Sequence, residues 1–257
     1  HPRRRATLTC LAAGLLTAAL PAVSAAAYPD KPIRLVVPFP PGQGADILAR
    51  LIGQHLAAAL GQPIVVENKV GAGGIIGTAF AAKAAPDGYT LYMGSSGPLA
   101  IGPHVYKAVG FDTLKDFAPI SNIASVTQVL VTAPASQLAS AKDVVERARA
   151  QPGMVPFGSA GSGTTSHLTM ELFTQMSGIS LSHVPYKGSS TSMIDVMAGR
   201  VPLMFDSLPG VLTNVKSGSL RAIAVASAQR DPLLPNVPTV AESGVPGFAT
   251  SGWIGLL

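Results

Sequence analysis

The sequence predicts an α/β fold with largely parallel sheets, on two observations. Apolar stretches of strand length alternate with amphipathic stretches of helix length along the chain, the rhythm of helices packed on parallel strands. Two glycine-rich turns, in separate halves, each follow an apolar run and open a helix. The first is Pro38-Phe39-Pro40-Pro41-Gly42-Gln43-Gly44-Ala45-Asp46, the second Gly158-Ser159-Ala160-Gly161-Ser162-Gly163-Thr164-Thr165-Ser166-His167. A helix start presents unpaired backbone N–H groups and the positive end of the helix dipole, so it holds an anion without a charged side chain. Two such turns read as two jaws of a clamp for a small carboxylate.

The elements follow in order. Arg3, Arg4 and Arg5, the apolar run Leu8 to Leu20, and the small residues Ala22-Val23-Ser24-Ala25-Ala26-Ala27 form the pattern of a signal peptide over residues 1–27. Ile33 to Val37 reads as a buried first strand. Asp46 is placed to cap the next helix, in which Ile47, Leu48, Leu51, Ile52, Leu56, Ala59 and Leu60 keep helical spacing until Gly61. Ile64 to Glu67 is a second strand, Gly74 to Ala84 a helix stopped by Pro86-Asp87-Gly88, and Tyr89 to Met93 a third strand. Val126 to Thr132 reads as a strand crossing between lobes. Ala141 to Ala150 is a helix capped by Ser140. Val155 to Phe157 leads into the second glycine-rich turn and a helix from Thr165 to Met176. Strands then fall at Ser180 to Val184, Val201 to Phe205 and Arg221 to Ala226, with helices at Ser190 to Ala198 and Val211 to Lys216. Past Gln229 the chain is rich in Pro and Gly. It ends on apolar Trp253-Ile254-Gly255-Leu256-Leu257, which reads as a chain cut short.

Composition narrows the function. The 257 residues carry 18 basic and 13 acidic side chains. Setting the leader aside removes three arginines, leaving 15 against 13 and a net charge of +2. The basic character belongs largely to the leader, and no basic stripe with interleaved aromatics remains to bind nucleic acid. The single cysteine, Cys10, lies in the leader without a lipobox before it, so neither a disulfide nor thiol chemistry is expected.

Each motif has a plain reading beside the functional one. The first turn is either an ordinary strand-to-helix connection or a ligand loop; its prolines stiffen it and Phe39 stands at a strand's mouth, where ligands of open α/β sheets sit. In the second turn, Gly158, Gly161 and Gly163 permit close backbone approach, and Ser159, Ser162, Thr164, Thr165 and Ser166 add hydroxyls. His167, in the first helical turn, is favoured as a neutral hydrogen-bond partner rather than a base. Ser95 and Ser96 follow the third strand as a turn or as a further wall. Asp206 ends a strand, either accepting from a ligand amine or amide, or capping the next helix. Lys187 attracts an anion or is simply solvated.

Enzyme signatures fail. The sequence contains no G-x-S-x-G and no G-x-x-x-x-G-K-[ST], and Gly71 to Gly77 misses dinucleotide spacing. Its five histidines show no metal-ligand spacing. Neither cofactor nor metal is expected, and a binder is the better reading.

Several segments, in order, resemble the receptors of tripartite tricarboxylate transporters, the Bug family. They are Tyr28 to Phe39 with Pro41 to Asp46, Val66-Glu67-Asn68-Lys69 with Gly71 to Gly74, and Pro86 to Leu91. Later come Gly158 to Gly163 with His167-Leu168, Val184 to Gly188, and Pro235 to Glu242. The resemblance implies a two-lobed, type II periplasmic-binding-protein-like fold with the ligand cleft between lobes. It further implies a monomeric periplasmic receptor that closes on a small carboxylate (a di- or tricarboxylate, an acidic amino acid or an aromatic acid) and delivers it to a membrane permease. Lobe 1 would span residues 28–125, lobe 2 126–227, with a return to lobe 1 over 228–257. The implied ligand-binding set is Phe39, Gly42, Gln43, Gly44, Asp46, Ser95, Ser96, Ser159, Gly161, Gly163, Thr164, Thr165, His167 and Asp206. Gln43 stands where many members have a second glycine. Two other readings compete: a sensor for a signalling partner, and a secreted hydrolase using Ser95 or Ser162 with His167 and Asp206.

Overall fold

A computed structural model of the protein describes residues 28–257; the leader expectation for residues 1–27 lies outside them. Nine strands form one sheet in the order β2-β1-β3-β9-β4-β7-β5-β6, with β8 also paired to β4. Strands β1 (Ile33–Val37), β2 (Ile64–Asn68) and β3 (Thr90–Ser95) are parallel. So are β5 (Pro156–Ser159), β6 (Ser182–Pro185) and β7 (Leu203–Ser207). Strand β1, flanked on both edges, is apolar and almost wholly buried, as central parallel strands are.

The two parallel groups are joined by antiparallel pairing along β4 (Ser121–Thr132). Its residues 121–127 pair with β9 (Ser251–Leu256), while 128–132 pair with β7 and with β8 (Arg221–Val225). One long strand therefore belongs to both halves. The strand expected at Val126 begins earlier, because the polar stretch before it finds partners on β9. The apolar C-terminal stretch is itself a strand, inserted between β3 and β4.

Helix α1 (Gly44–Leu60) ends on Gly61 in the left-handed conformation, whose N–H donates to Ala57. The cap expected of Asp46 is corrected: Gln43 holds the N-cap position without a side-chain cap bond, and Asp46 lies one turn inside. The helix expected at Gly74 to Ala84 is shorter than that, starting at Ile75 and ending at Ala81. A 3₁₀ turn at Ala72–Gly74 precedes α2 (Ile75–Ala81), since positive φ at residues 71–74 prevents a continuous helix. After β3 comes a π turn (Gly97–Ile101) and the short α3 (Gly102–Val105). Helix α4 (Ala141–Ala150) starts with a capping box in which Ser140 and Asp143 satisfy each other's backbone N–H. Helix α5 (Thr165–Ser177) is capped by Thr164 and closed by left-handed Gly178. Helices α6 (Ser189–Met197) and α7 (Leu208–Lys216) follow β6 and β7.

Each half has its own core. Leu35, Val37, Phe39, Met93, Ile254 and Leu256 pack in the first. In the second, Phe157, Phe173, Phe205 and Phe248 pack together with Val240 and Val245. Phe248 meets Phe173 edge-on at 6.3 Å and stacks on Phe205 at 6.4 Å between centroids. No helix among the described residues is long and apolar enough to cross a membrane.

Candidate functional site

The carboxyl ends of β1, β3, β5 and β7 converge, each delivering a loop that begins a helical segment. Ligands of open α/β sheets bind at such strand ends. After β1, the Pro38–Gln43 loop turns through Gly42 at φ 80°. Asp46 holds it: its carboxylate accepts from the Gly42 N–H (2.9 Å), Arg50 (3.0 and 2.9 Å) and Asn68 Nδ2 (2.9 Å). Asn68 also donates to the Phe39 carbonyl at 2.8 Å. Burial works to raise the Asp46 carboxyl, but hydrogen bonds from Arg50, Asn68 and Gly42 outweigh it and hold the group below the usual carboxylate range. Every oxygen lone pair of consequence is thus spent on the loop. Gln43, beside it, reaches across instead, its Oε1 accepting from the Ser189 N–H at 3.2 Å.

After β5, the hydroxyls are likewise spent on shape. Thr164 Oγ1 donates to the Gly161 carbonyl at 2.7 Å and accepts from the His167 N–H at 3.4 Å. Ser159 Oγ accepts from the Gly161 N–H at 3.1 Å and pairs with His183 Nε2 at 2.6 Å. Ser166 Oγ donates to the Phe205 carbonyl at 2.7 Å. Gly161, at φ 123°, passes so close to Tyr186 that a Cβ would lie 3.0 Å from its carbonyl oxygen. His167 Nδ1 accepts from the Gly163 N–H at 3.2 Å, as an unprotonated nitrogen must. The His167 and His183 rings stack at 4.0 Å. Burial lowers both, and His167 beside it adds to the depression of His183, which falls to about 4. Both imidazoles are neutral at pH 7.

Between the two walls lies a cavity. Phe39, Gln43 and Ala45 line it from the first wall, and Thr164, Thr165 and Ser166 from the second. Ser95 and Ser96 come from the end of β3, Asp206 and Ser207 from the end of β7. Val126 and Gln128 of β4 and Trp253 of β9 complete it. The cavity volume is about 50 Å³, enough for a few ordered waters at roughly 10–15 Å³ each. A wider groove outside is lined by Pro38, Pro40, Gly71–Gly74, Tyr106 and Lys187; Phe39 and Ala160 border both spaces and separate them.

Of the residues expected to bind ligand, Phe39, Gln43, Ser95, Ser96, Thr164, Thr165 and Asp206 are brought together on the cavity wall. Gly161 lines the outer groove. Gly42, Gly44, Asp46, Ser159, Gly163 and His167 lie behind the wall, shaping the two loops. Gln128 and Trp253 escaped sequence reasoning. Gln128, a polar residue inside the apolar run Val126 to Val131, offered a signal; Trp253 reaches the site only through strand pairing of β9.

Asp206 is the only ionisable lining residue among the described residues. Burial pushes its carboxyl up to about 6, tempered by the N–H of Ser207 and the nearby hydroxyls of Ser189 and Ser207. Those donors stand near the carboxyl, but among the described residues none reaches its Oδ2 in hydrogen-bond geometry. Among the described residues, no Lys, Arg or His lines the cavity. Positive potential comes instead from the starts of α1, α5 and α7, which all face it. Ser162 and Asp206 are not joined to His167, whose ring nitrogens face Gly163 and Glu171, so no Ser-His-Asp relay forms at these positions.

An α/β sheet whose two halves share a long strand and meet at a polar cavity fed by helix starts defines a solute-binding receptor of the periplasmic-binding-protein type. Residues 48–257 match the family described as tripartite tricarboxylate transporter family receptor, and the chain belongs to that family. Protein BugT of Bordetella pertussis is 42% identical over 236 residues, covering 91% of this chain and 72% of BugT. A protein from the tcbD-tcbE intergenic region of Pseudomonas sp. strain P51 is 39% identical, covering 98% and 75%. Among solved structures, Rpa4515 of R. palustris with adipate superposes with a TM-score of 0.87 at 38% identity, covering 89% of this chain and 77% of that one. MatC from Rhodopseudomonas palustris with bound malate gives 0.84 at 30% identity, covering 89% and 78%.

Proposed function

We propose that the protein is a periplasmic receptor that captures a small carboxylate and hands it to the membrane permease of a tripartite-type transporter. One observation carries the reading: three helix starts converge on a cavity that, among the described residues, has no cationic side chain. Backbone dipoles then supply the positive potential that a carboxylate needs, without the strong hydration of a lysine or the fixed fork of an arginine. Adipate on Rpa4515 and malate on MatC, both dicarboxylates, support the class. Contacts are made by Gln43, Ser95, Ser96 and Thr165 and by N–H groups of the two loops, with Thr164 holding the second loop in shape and Phe39 at the entrance.

Capture works as a clamp. Lobe 1 spans residues 28–125, lobe 2 residues 126–227, and the chain returns to lobe 1 over 228–257. Closure excludes bulk water and strengthens each hydrogen bond to the anion. The closed form gains only what the ligand contributes in that state. Export by the residue 1–27 leader places the receptor where solute is captured.

A thermal-shift screen of dicarboxylates, acidic amino acids and aromatic acids tests the reading, because a ligand that binds only the native state raises apparent stability. At a hundredfold excess over Kd the gain is about 2.7 kcal/mol. No stabilisation by any carboxylate, at millimolar concentration, would refute it.

A further inference from the structure

Asp206 stands near the end of β7 with its side chain on the cavity wall and only 3% exposed. Its Oδ2 meets no hydrogen-bond donor among the described residues, and the hydroxyls of Ser189 and Ser207 nearby are equally unpartnered. Gly210, the third residue of α7, makes room for that oxygen: a Cβ there would lie 3.1 Å from it.

The ionisable groups on the elements packed around Asp206 turn elsewhere. Strands β4 and β5 carry none. On α5, His167 faces Gly163 and Glu171. On α6, Asp195 is taken by Tyr186 and Arg200. Lys216 lies in the last turn of α7, at the end away from Asp206. On α1, which packs on α7, Asp46 is bound by Arg50 and Asn68, and His55 is exposed three turns further along. A carboxylate entering the cavity is therefore the charge that Asp206 meets at close range.

Two carboxylates that share one site do not both stay ionised; one is pushed up until it holds a proton. Asp206 is the one predisposed, since burial has already raised it to about 6. Protonation also changes its chemistry. An ionised carboxylate only accepts hydrogen bonds, whereas the neutral group has an O–H to donate, and a ligand carboxylate oxygen is an acceptor.

We infer that capture of the ligand is coupled to uptake of one proton by Asp206, whose neutral carboxyl then donates its O–H to a ligand carboxylate oxygen. The site thus takes an anion together with a proton. This rests on the carboxylate-receptor reading above and adds a proton to its binding equilibrium.

Malate, adipate and benzoate, ionised at pH 7.5, are the probes. Each is titrated calorimetrically in buffers of different ionisation enthalpy, so that the difference in apparent heat counts the protons exchanged. The wild type takes up close to one proton per ligand bound, and its affinity falls by up to about tenfold per pH unit as pH rises above 6. Asp206→Asn, whose carboxamide donates at every pH, takes up no proton and binds at pH 8 at least as tightly as the wild type. Should it not fold, as read from its thermal melt, Asp206→Ala replaces it for the proton count, with the same expected loss of uptake. Uptake that persists without the carboxyl puts the proton on another group and overturns the proposal, as does weaker binding of Asp206→Asn at pH 8. A wild type that binds any carboxylate without taking up a proton refutes the coupling and leaves the receptor reading intact; one that binds no carboxylate refutes both.

Discussion

The Ser96 and Thr165 hydroxyls meet at 2.9 Å, joining the end of β3 to the first residue of α5 across 69 positions of sequence. Both side chains also line the cavity. The pair is therefore a tie between the two halves made by groups on the cavity wall. Removing one partner leaves the other hydroxyl with a cavity to face, which limits the desolvation cost. Ser96→Ala and Thr165→Val should each weaken carboxylate binding by roughly 1 kcal/mol, about fivefold. Because they act on one bond, the double variant should lose less than the sum, by about 0.5–1 kcal/mol. Calorimetric titration of the four proteins closes the cycle, and strict additivity would show that the tie is irrelevant to binding.

Asp206 carries a pH signature. Its native carboxyl, pushed up to about 6 first of all by burial, keeps its proton to higher pH than in the unfolded chain. Between about pH 4 and 6 the native state binds more protons than the unfolded one, so this group's contribution falls as pH rises. The shift corresponds to at most about 3 kcal/mol. Asp206→Asn removes the titration and should leave the protein more stable than the wild type above pH 7, by roughly 1–3 kcal/mol. Urea midpoints of both proteins from pH 4 to 8 measure the difference. Parallel curves would mean that Asp206 ionises normally in the native state.

The same residues show how far the sequence speaks for itself. Local signals were reliable where local physics decides: the cap at Ser140, the stop at Gly61, and the start of α5 at Thr165 all follow from caps and turns. The pairing of β9 between β3 and β4 had no such signal, since a terminal apolar run carries no mark of its distant partners. The site divides along that line. Gln43 and Asp206, at strand ends, were legible as candidates, whereas Trp253 reaches the cavity only by long-range pairing. Asp46 had the chemistry of a cap but serves as the hub of a loop lock, because Arg50 and Asn68 converge on it from one turn of helix and a neighbouring strand. Ser159 and His167 carry donors and acceptors suited to a ligand, yet their own loop uses them.

His183 makes the opposite prediction to Asp206. Its ring packs against both Phe157 (4.9 Å) and His167 (4.0 Å), and its Nε2 pairs with fully buried Ser159. Burial, reinforced by His167, takes its pKa down to about 4. The unfolded chain therefore binds more protons as pH falls below about 6.5, and stability contributed by the neutral ring is lost between there and about pH 4. Imidazole resonances followed by NMR should titrate below 6.5 for His167 and near 4 for His183. A midpoint at or above 6.5 for His183 would contradict the stacked, neutral pair, and with it the idea that these rings brace the second loop.

Trp253 offers a direct reading of the clamp. It is the sole tryptophan of the chain and sits on the cavity wall, on the strand that joins the two halves of the sheet. Indole emission depends on local polarity, and a carboxylate entering beside it displaces water from the apolar face of the ring while bringing charge close. Binding should therefore change the emission of the wild-type protein in a saturable way. The change belongs wholly to one side chain, so Trp253→Phe should be spectroscopically silent while retaining calorimetric affinity within about tenfold, the aromatic replacement preserving most of the buried contact. Saturable calorimetric binding with constant wild-type emission would place the ligand away from this cavity, and the outer groove between Gly71–Gly74 and Lys187 would then be the surface to test.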